Sequence, residues 1–363
     1  MSDVYAEPAN AGDPTDPATL ARYTTLRLGG PAGRLEIADD AAQIVLKVQE
    51  AEAREQAVLV LAGGSNVVIG DQGFPGTVVL VRSRGFRVVA EDGDTVTVRV
   101  EAGEPWDDLV AATVERGWSG LECLSGIPGS AGATPIQNVG AYGQEVAETI
   151  VAVEAYDRTR REVVRIAAAD CGFVYRGSIF KYSDRWVVLT VDFRLTRSPR
   201  SGPVRYAELA RALGVEVGDR VPLGDARATV RRLRAGKGMV LDAADPDTWS
   251  VGSFFTNPVL PGEVFEQVRE RAADLGQPPN WPGADGTVKV SAAWLIDKAG
   301  FGKGYAGPEG VAISSKHTLA LTNRSGAAST AALVALAREI RDGVQSRFGV
   351  TLHPEPVLIN CTI

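Results

Sequence analysis

Cysteine and histidine are both scarce in this chain of 363 residues, which contains three cysteines and two histidines. Cys123, Cys171 and Cys361 lie far apart and form no CxxC pair. This spacing indicates neither a zinc site nor a disulfide framework, so we predict no metal site. Unpaired cysteines are typical of a reducing compartment, and we therefore expect a cytoplasmic protein.

The chain also lacks an excess of basic residues and any long apolar run. Its formal net charge of −7 argues against a nucleic-acid partner, because phosphate binding needs a basic surface. No apolar run is long enough to span a membrane, so we expect no membrane partner. Residues 1–20 lack the basic and apolar regions of a signal peptide and are rich in acidic residues, Pro and Ala, which predicts a disordered tail.

Glycine, in contrast, is abundant: its 40 residues cluster, which indicates tight loops that approach a ligand. Apolar residues make up 45% of the chain, enough for real cores, and the length predicts two or three domains. Predicted helices and strands are mixed from about residue 35 onward, which is typical of an α+β chain.

The hydrophobic patterning locates these elements, with a domain boundary near residues 235–245 and a linker at Ala243–Trp249. Asp92 and Gly93 have the turn chemistry of a hairpin between two strands. The predicted helices are Ala41–Glu55, Trp106–Arg116, Asp225–Ala235, Gly262–Leu275, Ala292–Lys298 and Thr330–Phe348. The predicted strands are Ala57–Ala62, Thr77–Val81, Phe86–Ala90, Thr95–Glu101, Ile150–Tyr156, Glu162–Ile166, Trp186–Leu195 and Thr318–Asn323.

Two glycine-rich loops are candidates for binding a dinucleotide. GGSN (Gly63–Asn66) follows an apolar strand, where backbone N–H groups can form an anion nest suited to a pyrophosphate; a plain turn is the alternative. The longer loop, Leu124–Glu145, is too glycine-rich for a regular element and suits a flat ligand lying against the backbone. No GxGxxG opens a helix after a strand, so a Rossmann nicotinamide site is not supported.

Three further segments contain residues with chemistry of their own. In GSFFTNP the hydroxyl of Ser253 stands beside two phenylalanines, and it must either find a hydrogen-bond partner or act chemically. From the residues alone, a surface ion pair is the better explanation of Arg176 in YRGSIFK. A solvated glutamate in a turn is likewise the better explanation of Glu355 in HPEPV.

These segments together resemble the family of UDP-N-acetylenolpyruvoylglucosamine reductases, FAD enzymes also called UDP-N-acetylmuramate dehydrogenases. The resemblance covers nearly all of the chain after residue 20. It rests on an ordered series of segments: TTLRLGG (Thr24–Gly30), GGSN, GIPGSAGATPIQNVGAYGQE (Gly126–Glu145), YRGSIFK (Tyr175–Lys181), GSFFTNP and PEPV (Pro354–Val357).

The resemblance implies an α+β fold: the FAD-binding fold of the vanillyl-alcohol oxidase type, with two α+β subdomains, plus a C-terminal α+β substrate-binding domain. We place the FAD-binding subdomains at 21–84 and 85–235 and the C-terminal domain at 236–363. Related oxidases attach FAD through a histidine in the loop corresponding to GGSN. This loop has no histidine, so we expect non-covalent FAD.

The reaction implied by the resemblance is the NADPH-dependent reduction of UDP-N-acetylglucosamine enolpyruvate to UDP-N-acetylmuramate, a step of peptidoglycan precursor synthesis. A hydride passes from NADPH to flavin N5 and then to C3 of the enol ether. Ser253 matches the family's proton donor to C2, Arg176 its carboxylate-binding arginine and Glu355 its assisting glutamate. These three are the predicted catalytic residues.

The resemblance also assigns binding residues. The predicted FAD contacts are Gly63, Gly64, Ser65, Asn66, Gly129, Ser130, Asn138, Gly140, Ala141 and Tyr142. The predicted substrate contacts are Tyr175, Tyr206, Lys237, Asn257, Lys303 and His317. The family often has an acidic residue after Tyr-Arg, and the chain has Gly177 there, so a local salt bridge to Arg176 is not expected.

Two other classes remain open from the sequence. A flavin oxidase of the same fold would react with oxygen and need no NADPH. A non-catalytic flavin- or nucleotide-sugar-binding protein would keep the glycine loops without the catalytic positions, all three of which are filled in this chain.

Overall fold

The computed structural model describes residues 19–363 and shows a chain of mixed helices and strands. The described chain divides into two compact units. The central unit comprises Ala32–Gly63 and Pro75–Val240, and the split unit comprises residues 19–31 together with Gly64–Phe74 and Leu241–Ile363. The tail predicted at 1–20 lies, except for its last two residues, outside the described residues.

Seven α-helices are found in the described part of the chain. They are α1 (Ala41–Ala53), α2 (Trp106–Glu115), α3 (Ala207–Leu213), α4 (Leu223–Gly236), α5 (Gly262–Arg271), α6 (Ala292–Lys298) and α7 (Thr330–Phe348).

Eighteen strands accompany the helices within residues 19–363, several of them only two or three residues long. They are β1 (Ala32–Ala38), β2 (Val58–Leu61), β3 (Val67–Ile69), β4 (Phe74–Val81), β5 (Phe86–Asp92), β6 (Thr95–Glu101), β7 (Trp118–Ser119), β8 (Gly140–Ala141), β9 (Gln144–Glu145), β10 (Ile150–Asp157), β11 (Glu162–Ala167), β12 (Trp186–Arg197), β13 (Val259–Pro261), β14 (Asn280–Pro282), β15 (Thr287–Val290), β16 (Val311–Ile313), β17 (Leu321–Asn323) and β18 (Val357–Ile359).

The main sheet of the central unit is antiparallel, with strand order β11-β10-β12-β6-β5 and β7 paired to β12. The strand β6 reads TVTVRVE, and its Val96, Val98 and Val100 are all buried because alternate side chains of a strand point to one face. These valines pack with Trp106 and other apolar side chains into one core. A second sheet, β1-β4-β2, pairs β2 with β4 in parallel.

Helix α1 begins where the sequence supplies a cap. The Asp40 carboxylate accepts a hydrogen bond from the backbone N–H of Gln43 at 2.7 Å, satisfying a donor that has no partner within the helix. Ile44, Val48 and Ala51 recur at helical spacing and are buried. The helix therefore packs this stripe inward, in agreement with the predicted amphipathic helix.

The split unit is held together by α7 and by contacts between segments distant in sequence. Strand β18, close to the C-terminus, pairs in parallel with β3. The Asp71 carboxylate accepts hydrogen bonds from the backbone N–H groups of Thr330 and Ala331 at 2.6 and 2.8 Å, at the start of α7. These contacts hold Gly64–Phe74 in the split unit with the C-terminal residues. The local hydrophobic pattern of the sequence does not indicate this arrangement.

The prediction of a linker at Ala243–Trp249 is wrong, because the segment is part of the folded split unit. Pro246–Thr248 forms a short 3-10 helix, and both Asp247 and Thr248 are buried. The Asp247 carboxylate accepts hydrogen bonds from the backbone N–H and the hydroxyl of Ser315, at 2.8 and 2.5 Å. The segment is ordered because its polar residues bond within the split unit instead of to water.

Other predicted elements are found with small shifts of their ends. The strand predicted at Thr318–Asn323 is shorter and begins only at Leu321. Strands β5 and β6 form the hairpin predicted around Asp92 and Gly93, and Gly93 has φ of 53°, as such a turn requires. The domain boundaries at residues 84/85 and 235/236 stay predictions.

No helix within residues 19–363 is both long and apolar enough to cross a membrane. Over the same residues, no group of three or more His, Cys, Asp or Glu side chains is placed to hold a metal ion.

Candidate active site

The predicted site residues fall into two groups, one in each unit. The central unit contains the catalytic candidate Arg176 and the split unit contains Ser253 and Glu355. The other members of the central group are Gly63, Gly129, Ser130, Asn138, Gly140, Ala141, Tyr142, Tyr175, Tyr206 and Lys237. The other members of the second group are Gly64, Ser65, Asn66, Asn257, Lys303 and His317.

The glycine-rich loop Leu124–Glu145, called the flavin loop below, is irregular but ordered. It contains a 3-10 turn at Ala131–Ala133 and the two-residue strands β8 and β9. Gly132 permits a close approach, because a Cβ there would lie 2.5 Å from the Cβ of Ala102. The glycine at this position thus serves the packing of the loop on the sheet.

Asn138 holds the flavin loop together with its side chain. Its amide Nδ2 donates to Glu145 Oε2 at 2.8 Å and to the carbonyl of Val174 at 3.2 Å, while Oδ1 accepts from the N–H of Ala147. Asn138 and Tyr142 both have left-handed backbone conformations, with φ of 46° and 49°. Strained backbone of this kind is concentrated at functional sites in proteins.

Ser130 shows how the flavin loop fits the predicted cofactor. Its Oγ is buried and has no hydrogen-bond partner among residues 19–363. Buried hydroxyls are normally hydrogen-bonded, so an unpartnered one is explained by a ligand that supplies the missing acceptor or donor. The loop thus offers a bound FAD one polar side chain that the protein itself does not satisfy.

Arg176 is hydrogen-bonded to the backbone of the flavin loop. Its Nη2 donates to the carbonyl oxygen of Gly140 at 3.0 Å and its Nη1 to that of Asn138 at 3.5 Å. The guanidinium carbon lies 5.1 Å from the ring centroid of Tyr175. Gly177 has no side chain with which to form a salt bridge to Arg176, and Arg176 is half-buried with φ of 56°.

In the GGSN turn, Gly64 is needed for packing, independently of the anion nest predicted there. Gly64 has φ of 56°, and a Cβ there would lie 2.0 Å from the carbonyl oxygen of Tyr23. The chain needs glycine at this position for its own packing, whatever the turn binds. Asn66 lies beside a catalytic candidate, since its Nδ2 donates to the Glu355 carbonyl at 3.5 Å and its own carbonyl accepts from Val357.

The segment around Ser253 packs against the segment that contains Glu355. The backbone N–H of Glu355 donates to the carbonyl of Phe254 at 2.9 Å, and Phe255 forms a β-bridge with Pro354. Phe254 and Phe255 are fully buried, with ring centroids 5.1 Å apart. The predicted serine donor and the predicted glutamate are therefore neighbours through their backbones.

The hydroxyl of Ser253 makes no hydrogen bond to another residue in the part of the chain that the structure describes. The side chain is half-buried, and Gly252 before it has φ of 74°. A serine satisfied by backbone groups in a buried turn is therefore not found. The hydroxyl is available to a ligand.

The predicted substrate residues of the split unit have different environments. Asn257 Oδ1 accepts from the N–H of Ala292 at 2.9 Å, at the start of α6, so its side chain has a structural bond as well. His317 Nδ1 accepts from the N–H of Leu319 at 3.1 Å, and the carbonyl of Leu319 accepts from Phe254. Lys303 is exposed in a turn.

In the central unit, three candidates come together. The rings of Tyr142 and Tyr206 meet edge to face, with centroids 5.5 Å apart, and Lys237 Nζ lies 5.6 Å from the Tyr142 centroid. Tyr142 was predicted for FAD, and Tyr206 and Lys237 for the substrate. Tyr206 precedes α3 and is exposed, whereas Lys237 follows the last residue of α4.

Sequence reasoning missed the polar residues that surround these candidates. Asp107 accepts from the N–H of Gly126 at 2.6 Å and forms a two-point ion pair with Arg227, which ties α2 and α4 to the flavin loop. Arg234 is buried, and burial lowers the pKa of its guanidinium to about 10. No sequence pattern distinguishes these residues, because each is an ordinary charged residue of an amphipathic helix.

Cys123 is a small apolar residue of the core beside the flavin loop. It is buried, and it packs with Val204, Leu209 and Val230 between the flavin loop and helices α3 and α4. Burial raises the pKa of its thiol to about 12. Burial thus disfavours the thiolate form of Cys123.

Comparisons with known proteins first define the class. Residues 34–166 match a family described as "FAD binding domain", and residues 245–359 match "UDP-N-acetylenolpyruvoylglucosamine reductase, C-terminal domain". A crystal structure of UDP-N-acetylenolpyruvylglucosamine reductase from Thermus caldophilus superposes with a TM-score of 0.64 at 25% identity, covering 94% of this chain and 97% of that one. The chain is thus an FAD-binding oxidoreductase, and its fold class is confirmed.

Relatives with high identity then define the family. A UDP-N-acetylenolpyruvoylglucosamine reductase of Salinispora arenicola is 75% identical over 345 residues, which is 95% of each chain. One of Streptomyces coelicolor is 58% identical over 353 residues, covering 95% of this chain and 90% of the relative. The chain belongs to the UDP-N-acetylenolpyruvoylglucosamine reductase family, and the resemblance stated from its motifs is confirmed.

Proposed function

We propose that the chain reduces UDP-N-acetylglucosamine enolpyruvate to UDP-N-acetylmuramate with non-covalent FAD and NADPH, a step in making peptidoglycan precursors. The observation that carries the proposal is the placement of Ser253. Its hydroxyl is unengaged within residues 19–363, in a segment whose backbone bonds directly to Glu355. The relatives' names support the same substrate. The cytoplasmic location remains a prediction.

We assign the flavin loop and the GGSN turn to FAD, with the unpartnered Ser130 hydroxyl as one polar contact. Bound FAD would supply the hydride-transfer chemistry between NADPH and C3 of the enolpyruvyl group. The protein must then stabilise negative charge on the substrate carboxylate and protonate C2. The three catalytic candidates supply these two functions.

Arg176 is the residue proposed to bind the substrate carboxylate. A guanidinium is charged at any working pH and can donate two parallel hydrogen bonds to a carboxylate. The carbonyls of Asn138 and Gly140 fix its position through Nη1 and Nη2. A preorganised cation of this kind stabilises charge as it develops, without having to reorganise during the reaction.

Ser253 is proposed to donate the proton to C2, and Glu355 to assist at the carboxylate. A serine hydroxyl is a poor acid in water, but a positioned acid is typically worth roughly 10²–10⁴ in rate. The buried rings of Phe254 and Phe255 line one side of the segment and help to exclude water. Glu355 keeps its place through the bond from its N–H to Phe254.

The test is anaerobic reduction of the purified holoenzyme by NADPH, followed by addition of UDP-N-acetylglucosamine enolpyruvate, with flavin absorbance recorded by stopped flow. Wild type should bleach and then recover its colour rapidly. Ser253→Ala should bleach at the wild-type rate and recover roughly 10²–10⁴ times more slowly. Ser346→Ala, an exposed serine of α7, is the matched control and should behave as wild type.

Two results would contradict the proposal. If wild type bleaches and only oxygen restores the colour, the chain is a different flavoenzyme and the substrate assignment fails. If Ser253→Ala recovers as fast as wild type, the substrate assignment stands and the proton comes from another group. Flavin that stays with the protein after acid precipitation would separately show that FAD is covalent.

A further inference from the structure

The ion pair between Lys237 and Glu208 joins the two short helices beside the flavin loop. Lys237 Nζ lies 2.6 Å from Glu208 Oε2, and both side chains are about one-third exposed, at 31% and 36%. Glu208 is in the first turn of α3, two residues after Tyr206, and Lys237 caps the end of α4. Lys237 is thus occupied by an acid of the protein itself.

The surroundings of this pair are otherwise rich in groups suited to an anionic ligand. Lys237 faces the ring of Tyr142, which in turn contacts Tyr206. The buried guanidinium of Arg234 donates to the carbonyl of Met239 at 2.9 Å, and its Nε has no hydrogen-bond partner in residues 19–363. The charge of Asp107 acts on Arg234, but no carboxylate lies within ion-pair distance of it in residues 19–363, so an anionic ligand nearby would stabilise this buried cation.

The electrostatics of Tyr142 link these groups. Burial raises the pKa of its phenol to about 12, with the negative charge of Glu208 adding to that rise and the positive charge of Arg234 opposing it. Glu208 and Arg234 therefore act on the same ring from within electrostatic reach. Removing the charge of Glu208 leaves the Tyr142 surroundings more positive.

We propose that Glu208 is a resident counter-ion of Lys237 that a diphosphate must displace, and that it thereby sets the affinity of the site for anionic ligands. This inference rests on the proposed function and on the predicted substrate contact of Lys237, for which the diphosphate of the UDP-sugar substrate is the matching anion. A diphosphate is a stronger competitor for a lysine than a single carboxylate, because it offers more charge and more acceptor oxygens. Displaced Glu208 also frees the start of the helix that follows Tyr206.

The expected effect is modest because the pair is partly exposed. A solvent-exposed ion pair contributes little free energy. Breaking the pair between Lys237 and Glu208 should therefore change the affinity for a ligand only about two- to fivefold. Glu208→Gln keeps the size of the side chain and removes its charge, so it should bind UDP about two- to fivefold more tightly than wild type. Glu216→Gln is the matched control, since Glu216 is an exposed acid without an ion pair to Lys237.

The experiment is isothermal titration calorimetry of the holoenzyme with UDP as the probe and with uridine as the phosphate-free comparison. Lys237→Ala should weaken UDP binding, and Glu208→Gln in the Lys237→Ala background should change nothing further. Uridine should bind equally to wild type and Glu208→Gln, because the tighter binding of UDP depends on its phosphates. Glu216→Gln should bind UDP as wild type does.

The outcomes separate this inference from the proposed function. If Lys237→Ala weakens UDP binding while Glu208→Gln leaves it unchanged or weaker, the counter-ion role is overturned and the role of Lys237 stands. If Glu208→Gln also tightens uridine, the effect is structural and the inference fails. If it tightens UDP by the same factor without Lys237, Glu208 acts by direct repulsion of the phosphates and not as the counter-ion of Lys237, and the inference fails as well. If Lys237→Ala binds UDP normally, the proposed diphosphate contact is itself wrong, and the inference falls with it.

Discussion

The guanidinium of Arg176 donates a hydrogen bond from Nη2 to the carbonyl oxygen of Gly140, at 3.0 Å. The predicted catalytic arginine is therefore positioned by the predicted FAD loop of the same unit. A Cβ at residue 140 would lie 3.2 Å from Arg176 Nη1 and 2.8 Å from Glu145 Cγ. Gly140 thus leaves the space in which the arginine side chain rests.

Gly140→Ala should lower kcat for the enolpyruvyl substrate by up to about 10²-fold, because small displacements of a positioned group are costly in rate. Because Gly140 is also a predicted FAD contact, FAD content is measured alongside and kcat is expressed per bound flavin. Steady-state kinetics on the FAD-loaded enzyme measure the effect. Gly224→Ala in α4 is the control, because a Cβ there meets nothing within 4 Å. A wild-type kcat in Gly140→Ala would show that the position of Arg176 tolerates this crowding.

A second relationship concerns stability and pH. Asp192 on β12 is buried, and it receives two hydrogen bonds from Arg99 on β6, at 2.8 and 3.0 Å, and an ion pair from Arg165 on β11 at 2.5 Å. Burial alone would raise the pKa of the Asp192 carboxyl. The hydrogen bonds from Arg99 and Arg165 outweigh burial, and the pKa is lowered.

Asp192→Asn should lower the free energy of unfolding by about 1–3 kcal/mol at pH 7, since it removes charge-assisted bonds across three strands. A carboxyl whose pKa is lowered by folding stabilises above its unfolded pKa, about 3.9, and this contribution is lost as the pH falls through the folded pKa. The difference between wild type and variant should therefore be full at pH 7 and shrink below about pH 4.

Urea unfolding at pH 7, 5 and 3.5 measures this difference. Asp94→Asn, at an exposed acid of the β5–β6 turn, should leave the free energy of unfolding unchanged at each pH. A deficit of Asp192→Asn that is the same at pH 7 and pH 3.5 would mean that the ionised carboxylate is not the source of the stability.

Patterns that are local in sequence predicted much of the fold. The burial of Ile44, Val48 and Ala51 on α1 and of alternate valines on β6 follows directly from helix and strand periods. The site candidates were predicted from the family motifs, because a motif specifies residue types at fixed spacing.

Relationships between distant residues could not be predicted in the same way. Asp247 and Ser315 are 68 residues apart, and their bonds turn a segment with the composition of a linker into buried structure. Arg176 is held by the carbonyl of a residue 36 positions earlier, which no side-chain pattern records. The Lys237–Glu208 pair likewise joins two helices whose mutual packing is set by their shared core with Cys123.

A further prediction concerns the start of α7. Asp71 satisfies the N–H groups of Thr330 and Ala331, which have no acceptor within the helix, and it adds a negative charge at the positive end of the helix dipole. Asp71→Ala should therefore cost about 1 kcal/mol of stability. Thermal melting at matched FAD occupancy measures it. Asp274→Ala, at a 74% exposed side chain of the same unit, should melt as wild type.

The three cysteines should differ in reactivity in the native protein. Burial raises the pKa of the Cys123 thiol to about 12 and that of Cys171 to about 11, so almost no thiolate exists at pH 8. Burial raises the pKa of the Cys361 thiol as well, but Cys361 is only half-buried and is therefore more accessible to a reagent. Iodoacetamide at pH 8 should therefore modify Cys361 first and leave Cys123 and Cys171 unmodified over an hour, as read by peptide mass spectrometry.

Unfolding in urea provides the control for this prediction, since all three thiols should then react at similar rates. Native modification of Cys123 at the rate of the unfolded chain would mean that helices α3 and α4 open away from the flavin loop in solution. The same labelling with saturating UDP would then show whether ligand binding closes them, because protection of Cys123 requires the cluster with Leu209 and Val230 to be packed.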